Sequence, residues 1–175
     1  MYRLREMEQQ DVPVINRWRA DPEIMATLGA TFRFISLDVD EQWYDRYLQN
    51  RAANVRCMIL EDGEAIGIVS LTGIDPVCRS AELSLMIGEK NRQNRGAGSF
   101  AVKEMVRHGF LNLNLHRIML TVLESNLRAR RVYEKAGFVF EGTLRDANYK
   151  QGSYENALVY SMLREEYDRI APPKP

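Results

Sequence analysis

The sequence predicts an α/β protein of the α+β kind: one domain over residues 1–170, with a mixed, mostly antiparallel central sheet flanked by helices. Three observations predict it. Segments with the two-residue period of strands interleave with segments of helical period, in the order β, α, α, β, β, β, α, β, α, β, β. Asp62-Gly63, between two apolar runs, is a tight hairpin signal and makes the middle strands antiparallel. Residues 80–123 read as strand, loop, helix and strand, and a crossover helix of this kind joins parallel neighbours. The chain has 175 residues, 45% hydrophobic and 27% charged, which is ordinary for one domain able to bury a core.

Each element has a local reason. Residues 2–7 alternate as a short strand. Asp11 caps a helix with Pro13 in its first turn, Val14, Ile15 and Trp18 share one face, and Pro22 stops it. A short helix over Glu23–Leu28 and a loop follow. Asp38 and Glu41 form a capping box for a helix to about Asn50, with Val39, Trp43 and Tyr47 on one side. Strands at about Val55–Leu60 and Ala65–Thr72 flank Asp62-Gly63, and a third, Ser80–Gly88, follows the turn at Asp75-Pro76. A glycine-bearing loop leads to a helix over about Ala97–Asn112, where Val102, Val106 and Phe110 line one face. His116–Leu123 is the next strand. Ser125 or Asn126 caps a short helix to Ala136, ended by Gly137. Strands at about Phe138–Leu144 and Glu155–Leu163 complete the sheet. Residues 171–175 read as a C-terminal tail.

Composition narrows the function. Lys plus Arg and Asp plus Glu both number 24, so net charge is zero and neither nucleic acid nor an anionic membrane is the expected partner. Cys57 and Cys78 lack metal-ligand spacing and read as small buried residues in strands; no metal is expected. The first residues are interrupted by Arg and Glu, unlike a signal peptide, and no apolar run approaches the ~20 residues of a membrane span. A cytoplasmic location is the expectation.

Two segments carry chemistry. Gln93-Asn94-Arg95-Gly96-Ala97-Gly98 lies between a strand and a helix. Glycine lets the backbone approach a ligand, and the first helical amides, including those of Ala97, Gly98 and Ser99, point outward without intrahelical partners. With the helix dipole they make a pyrophosphate cradle, and Arg92 and Arg95 add charge nearby. The loop has neither the Gly-Lys-Ser/Thr ending of a nucleoside triphosphate site nor the third glycine of a dinucleotide fingerprint. Downstream, Asn126-Leu127-Arg128-Ala129 opens a helix on which Ala129, Val132 and Ala136 pack inward, with Tyr133 one step off that stripe. Arg128 at the helix start can meet a phosphate.

Together, Ile87-Gly88, then Gln93-x-x-Gly96-x-Gly98, and Asn126-x-x-Ala129-x-x-x-Tyr133-x-x-x-Gly137-Phe138 resemble the GNAT superfamily of N-acetyltransferases. Arg79-Ser80-Ala81-Glu82-Leu83, Leu113-Asn114-Leu115-His116-Arg117-Ile118 and Glu141-Gly142-Thr143-Leu144-Arg145 resemble its branch of bacterial spermidine N-acetyltransferases and ribosomal-protein N-terminal acetyltransferases. The resemblance implies acetyl-coenzyme A as cosubstrate and direct attack by an amine in a ternary complex. It implies a pyrophosphate on the amides from Gln93 to Ser99, and a pantetheine arm against Leu85, Met86 and Ile87 and touched by Asn126. Tyr133 would protonate the leaving thiolate. A backbone N–H at a bulge near Met86 or Ile87 would face the thioester oxygen. Glu82 is the candidate base; pairing with a neighbouring Arg is its other role, and the sequence leaves both open. His116 reads as structural and His108 as an exposed helix residue.

The expected acceptor is a small amine, a polyamine or an amino sugar, with a protein N-terminus as alternative. A non-catalytic acyl-coenzyme A-binding module is the reading from another class, and Tyr133 and Glu82 argue against it. Spermidine enzymes of this branch carry an acidic pair after the second short helix, where this chain has Gly29-Ala30-Thr31-Phe32. The helices at 11–21 and 38–50 and the loop at 27–35 should flank the acceptor, with Phe32, Phe34, Trp43 and Tyr44 able to line it. Free C-terminal strand edges make pairing into a homodimer or larger homo-oligomer an expectation.

Overall fold

Strands β1 (Tyr2–Glu6), β2 (Asn54–Glu61), β3 (Glu64–Asp75), β4 (Ser80–Ile87), β5 (Arg117–Leu123), β6 (Val139–Lys150) and β7 (Ser153–Leu163) form one sheet in the order β1-β2-β3-β4-β5-β7-β6. The computed structural model describes residues 1–171, so residues 172–175 of the expected tail lie outside it. All neighbouring strands are antiparallel except β4 and β5, joined through helix α4 (Ala97–Leu111). Helices α1 (Val12–Arg19), α2 (Pro22–Ala26) and α3 (Leu37–Gln49) precede β2; α5 (Leu127–Ala136) follows β5 and α6 (Arg164–Ile170) follows β7. Among the described residues, no helix is long and apolar enough to cross a membrane.

The strand period of two divides the core into two layers. On β4, Ala81, Leu83, Leu85 and Ile87 pack with the α4 layer, where Phe110 stacks on Tyr167 of α6 at 4.9 Å. Met86 packs on the opposite layer with Ile15 and Trp18 of α1, Ile24 of α2 and Tyr47 of α3. Glu82 and Ser84 share the parity of Met86.

Turn chemistry sets the connections. Asp62 (φ 51°) and Gly63 (φ 93°) are both left-handed, as a two-residue hairpin requires. Asp21 caps α2 by accepting from the amides of Glu23 (2.9 Å) and Ile24 (3.4 Å), with Pro22 opening the helix.

Five expectations are corrected. The cap of α3 is Ser36, not Asp38, and the inward stripe is Asp40, Trp43 and Tyr47; Val39 is 47% exposed. Asp40 is buried because Asn16 donates to it at 2.8 Å and Arg19 pairs with it. Strands β6 and β7 extend to a second hairpin at Gln151 (φ 46°) and Gly152 (φ 91°). Helix α6 follows β7, where the sequence reading ended on a strand. Cys78 is exposed in the Asp75 turn; only Cys57 sits partly buried in a strand, where burial pushes its thiol up to about 11. His108, expected exposed, is half-buried on α4.

Candidate active site

Strands β4 and β5 pair only at Ser80↔Arg117, Ala81↔Ile118 and Glu82↔Met119. Beyond Glu82 they part. Leu83–Ile87 stay in register with β3, from Leu83↔Leu71 to Ile87↔Gly67, while β5 continues against β7. One edge of β4 therefore lacks a strand partner and faces a cleft. The irregularity expected near Met86 and Ile87 falls just beyond them, where the amides of Gly88 (2.9 Å) and Glu89 (3.1 Å) both donate to the Ile66 carbonyl of β3, the pattern of a β-bulge. Even without it, alternate amides of β4 point to the side that has no strand neighbour, so one of the Met86 and Ile87 N–H groups faces the cleft.

A cavity of about 280 Å³ fills this cleft. Of the residues expected from sequence, Leu85, Met86, Ile87, Gln93, Asn94, Gly96, Gly98, Ser99, Asn126, Arg128 and Tyr133 line it. Arg95 and Ala97 do not: the Arg95 carbonyl accepts from Tyr2 Oη at 2.8 Å, and Ala97 is 1% exposed in the core. Glu82 lines an adjoining cavity of about 350 Å³ together with Leu85, Asn126 and Tyr133.

The loop is shaped as an anion cradle. Asn94 (φ 63°) and Gly96 (φ 94°) are left-handed, and Gly96 is the N-cap of α4. The first helical bond runs from the Phe100 amide to the Gly96 carbonyl at 3.0 Å, so the amides of Ala97, Gly98 and Ser99 precede the helical ladder. No side chain caps them. A Cβ on Gly98 would lie 3.3 Å from Leu85 Cδ2, so this glycine lets α4 sit close to β4. Gln93 Nε2 donates to the Ile87 carbonyl at 3.1 Å, and Arg128 Nη1 donates to Gln93 Oε1 at 2.7 Å. That chain of contacts ties the loop to β4 and α5. Arg92, expected to add charge, is taken up by Glu61 (3.1 Å) and Glu64 (3.2 Å), so Arg128 is the cation at the cavity. Uncapped amides, a left-handed glycine and a lining arginine fit the pyrophosphate of an acyl carrier.

Asn126 caps α5, accepting from the Ala129 amide at 3.1 Å and donating Nδ2 to the Thr27 carbonyl at 2.9 Å. One donor hydrogen and one lone pair of its amide are left for a ligand. Gly137 (φ 99°) ends α5, with the Phe138 amide reaching back to the Tyr133 carbonyl at 3.0 Å. Between these ends Tyr133 is 5% exposed, the most buried residue of its helix, against Phe138. Its hydroxyl makes no hydrogen bond to the described residues, and burial pushes its pKa up to about 12. Glu82 is exposed and has no ion pair among the described residues.

Sequence reasoning missed Ile24, which lines the cavity with Thr27 and Leu28, and the tie from Asn126 to Thr27. These contacts link positions about a hundred residues apart and leave no periodic signal. Phe34, expected near the acceptor, is 97% exposed. Among the described residues no group of three or more His, Cys, Asp or Glu is placed to hold a metal.

A strand edge left open toward a cleft, an amide cradle at its mouth and a buried phenol beside it define an acyl-carrier-dependent acyltransferase. The acetyltransferase (GNAT) domain model matches residues 2–139, and the chain belongs to that family. It is 30% identical over 166 residues to a spermidine N(1)-acetyltransferase of Vibrio cholerae, with 94% of each chain covered. It is also 30% identical over 162 residues to an L-amino acid N-acetyltransferase of Escherichia coli, covering 92% of this chain and 96% of the other. The crystal structure of spermidine N-acetyltransferase from Vibrio cholerae in complex with CoA and spermine superposes with a TM-score of 0.89 at 28% identity, covering 95% of this chain and 97% of that one. The chain is an acetyl-coenzyme A-dependent N-acetyltransferase.

Proposed function

We propose that the protein transfers acetyl from acetyl-coenzyme A to the primary amine of a small acceptor by direct attack in a ternary complex. The carrying observation is the β4–β5 opening: an unpaired β4 edge on one side, and beside it a buried tyrosine hydroxyl with no partner among the described residues. The amides of Gly98 and Ser99, with Arg128, hold the pyrophosphate. Leu85–Ile87 hydrogen-bond the pantetheine arm as an added strand would. A backbone N–H of Met86 or Ile87 stabilises charge developing on the thioester oxygen.

A primary amine is mostly protonated at pH 7, so a base must free its lone pair. Glu82 takes that proton, directly or through water; its lack of an arginine partner among the described residues supports the role. Tyr133 gives a proton to the departing thiolate, and a hydroxyl with pKa pushed to about 12 is fully protonated for that task at neutral pH. Exposed Phe140, Leu144 and Tyr149 on edge strand β6 support assembly with further copies in solution, which size-exclusion chromatography tests. A cytoplasmic setting belongs to the same proposal.

The test combines calorimetry with coenzyme A and thiol release from acetyl-coenzyme A over polyamines, amino sugars, amino acids and short peptides. Coenzyme A binding with amine-dependent thiol release is expected. Absence of heat from coenzyme A refutes the carrier site, and binding without turnover on any amine leaves a carrier-binding module.

A further inference from the structure

On the α1–α3 side of the sheet lies another cavity, of about 280 Å³, meeting the first two along β4 at Leu85. Its walls are apolar, among them Ile15, Met25 and Met86, but a polar row crosses its floor. Arg56 of β2 stands opposite Ser70 of β3, and Ser70 opposite Ser84 of β4. Directly opposed residues point to the same face. One step along the strands, Thr72 stands opposite Glu82 on that same face, beside the β4–β5 opening. With neighbouring strands ~4.8 Å apart, the row runs about 10 Å from β2 to β4.

The two arginines lining this cavity differ. Arg19 is neutralised by buried Asp40. Arg56 has no carboxylate in ion-pair range among the described residues. Its Nη1 reaches Ser70 Oγ only at 3.5 Å, its Nε is buried without any partner, and the Trp43 ring covers its guanidinium at 4.9 Å. Burial, with Arg19 adding repulsion, pulls its pKa below the ordinary arginine range, yet an arginine keeps its charge in a protein. A partly buried cation without an anion is costly, and a stacked ring offsets only part of that cost. The combined site is therefore bipolar, with a free carboxylate at Glu82 and a free guanidinium at Arg56.

We infer that the acceptor is a small zwitterion, an amino acid with an apolar side chain, whose carboxylate pairs with Arg56 and Ser70 while its amine faces Glu82 and the β4–β5 opening. This rests on the acetyl-transfer proposal and names its substrate class. A polyamine would instead set a second ammonium against Arg56, where like charges repel.

Matched pairs test it in thiol release by the full chain: L-leucine against 3-methylbutylamine, L-methionine against 3-(methylthio)propylamine, with spermidine alongside. The carboxylated member should show a kcat/KM at least about tenfold above its decarboxylated partner and above spermidine. Arg56→Gln should collapse that ratio, mainly through KM, and Arg56→Lys should restore part of it. Equal or better use of the decarboxylated amines or spermidine overturns the inference, as does a ratio that survives Arg56→Gln. Should the arginine variants fail to fold, Ser70→Ala should lower the ratio several-fold, and an unchanged ratio counts against the site. Calorimetry keeps the two proposals distinguishable. If no amine is turned over but coenzyme A binds, L-leucine titrated into the coenzyme A-saturated protein still gives heat where 3-methylbutylamine gives none. Equal heats, or none from L-leucine, overturn the carboxylate site by themselves.

Discussion

Replacing Gly88 by alanine should unfold the protein far more readily than one methyl group suggests. Gly88 follows β4 directly, and a Cβ there would lie 2.0 Å from Trp18 Cδ2, 2.3 Å from Cγ and 2.4 Å from Cε2. Carbon atoms pack at ~3.5–4.0 Å, so the indole must retreat by about 1.5 Å. Trp18 is 2% exposed, and its Nε1 donates to Glu89 Oε1 at 2.9 Å. Losing a hydrogen bond to a charged group costs about 1.5–3 kcal/mol, and overpacking a core costs about 1–3 kcal/mol. Together they predict a loss of roughly 3–5 kcal/mol, close to the cost of deleting a buried tryptophan side chain. Urea unfolding of wild type, Gly88→Ala, Trp18→Leu and the double variant measures it. In the Trp18→Leu background the alanine should cost under about 1 kcal/mol, a coupling of at least about 2 kcal/mol. A single variant within about 0.5 kcal/mol of wild type, or additive effects in the double, would refute the packing argument. Displacing α1 also moves Ile15 and Arg19 of the cavity on the α1–α3 side of the sheet, so acceptor KM should suffer more than coenzyme A affinity.

Three further outcomes follow from the site and the sheet. Tyr133→Phe should keep coenzyme A affinity within about twofold and lower kcat by roughly 10²-fold, and with its hydroxyl pushed to about 12 the wild-type rate should not fall below pH 10; a wild-type rate in the variant removes Tyr133 from the chemistry. Asn126→Ala removes the cap of α5 and the tie to Thr27, for about 1 kcal/mol and a Tm lower by roughly 2–4 °C by differential scanning calorimetry; an unchanged Tm refutes it. Arg117, and then Ser161, hold the Glu141 carboxyl at about 2, below its ordinary 4.5, so its stabilising contribution is present above pH 4.5 and lost as pH falls toward 2. Both partners are about a third exposed, so Glu141→Gln should cost about 1 kcal/mol or less at pH 7, and that difference should fade in urea unfolding at acid pH; a pH-independent difference refutes the pairing.

Local chemistry made much of the fold legible. Asp62-Gly63, the glycines of the Gln93–Gly98 loop, and Asn126 and Gly137 at the ends of α5 each declare a backbone conformation through their own side chain or lack of one. The crossover from β4 to β5 followed from connectivity. Helix α6 was hidden because it is two turns long and buries one residue, Tyr167. The far half of β6 was hidden because it is mostly solvent-exposed and interrupted by register shifts, so no alternation marks it. The α3 stripe was misread by one position because an aspartate took the buried place, and only Asn16 and Arg19 from a separate helix make that tolerable. Arg56 carries no signal in the sequence, because only the strand register sets it beside Ser70 and only the fold brings the Trp43 ring over it.

The parting of β4 from β5 has a consequence for colloidal behaviour. An unsatisfied row of amides and carbonyls normally invites another chain to add a strand and start aggregation. Here that row lies in a crevice lined by residues of α4 and α5 and by Thr27, which stand between it and the strand edge of a second folded protein. A slender chain that brings its own amides can still enter, so the same fence that lets the carrier in keeps neighbouring molecules from sticking.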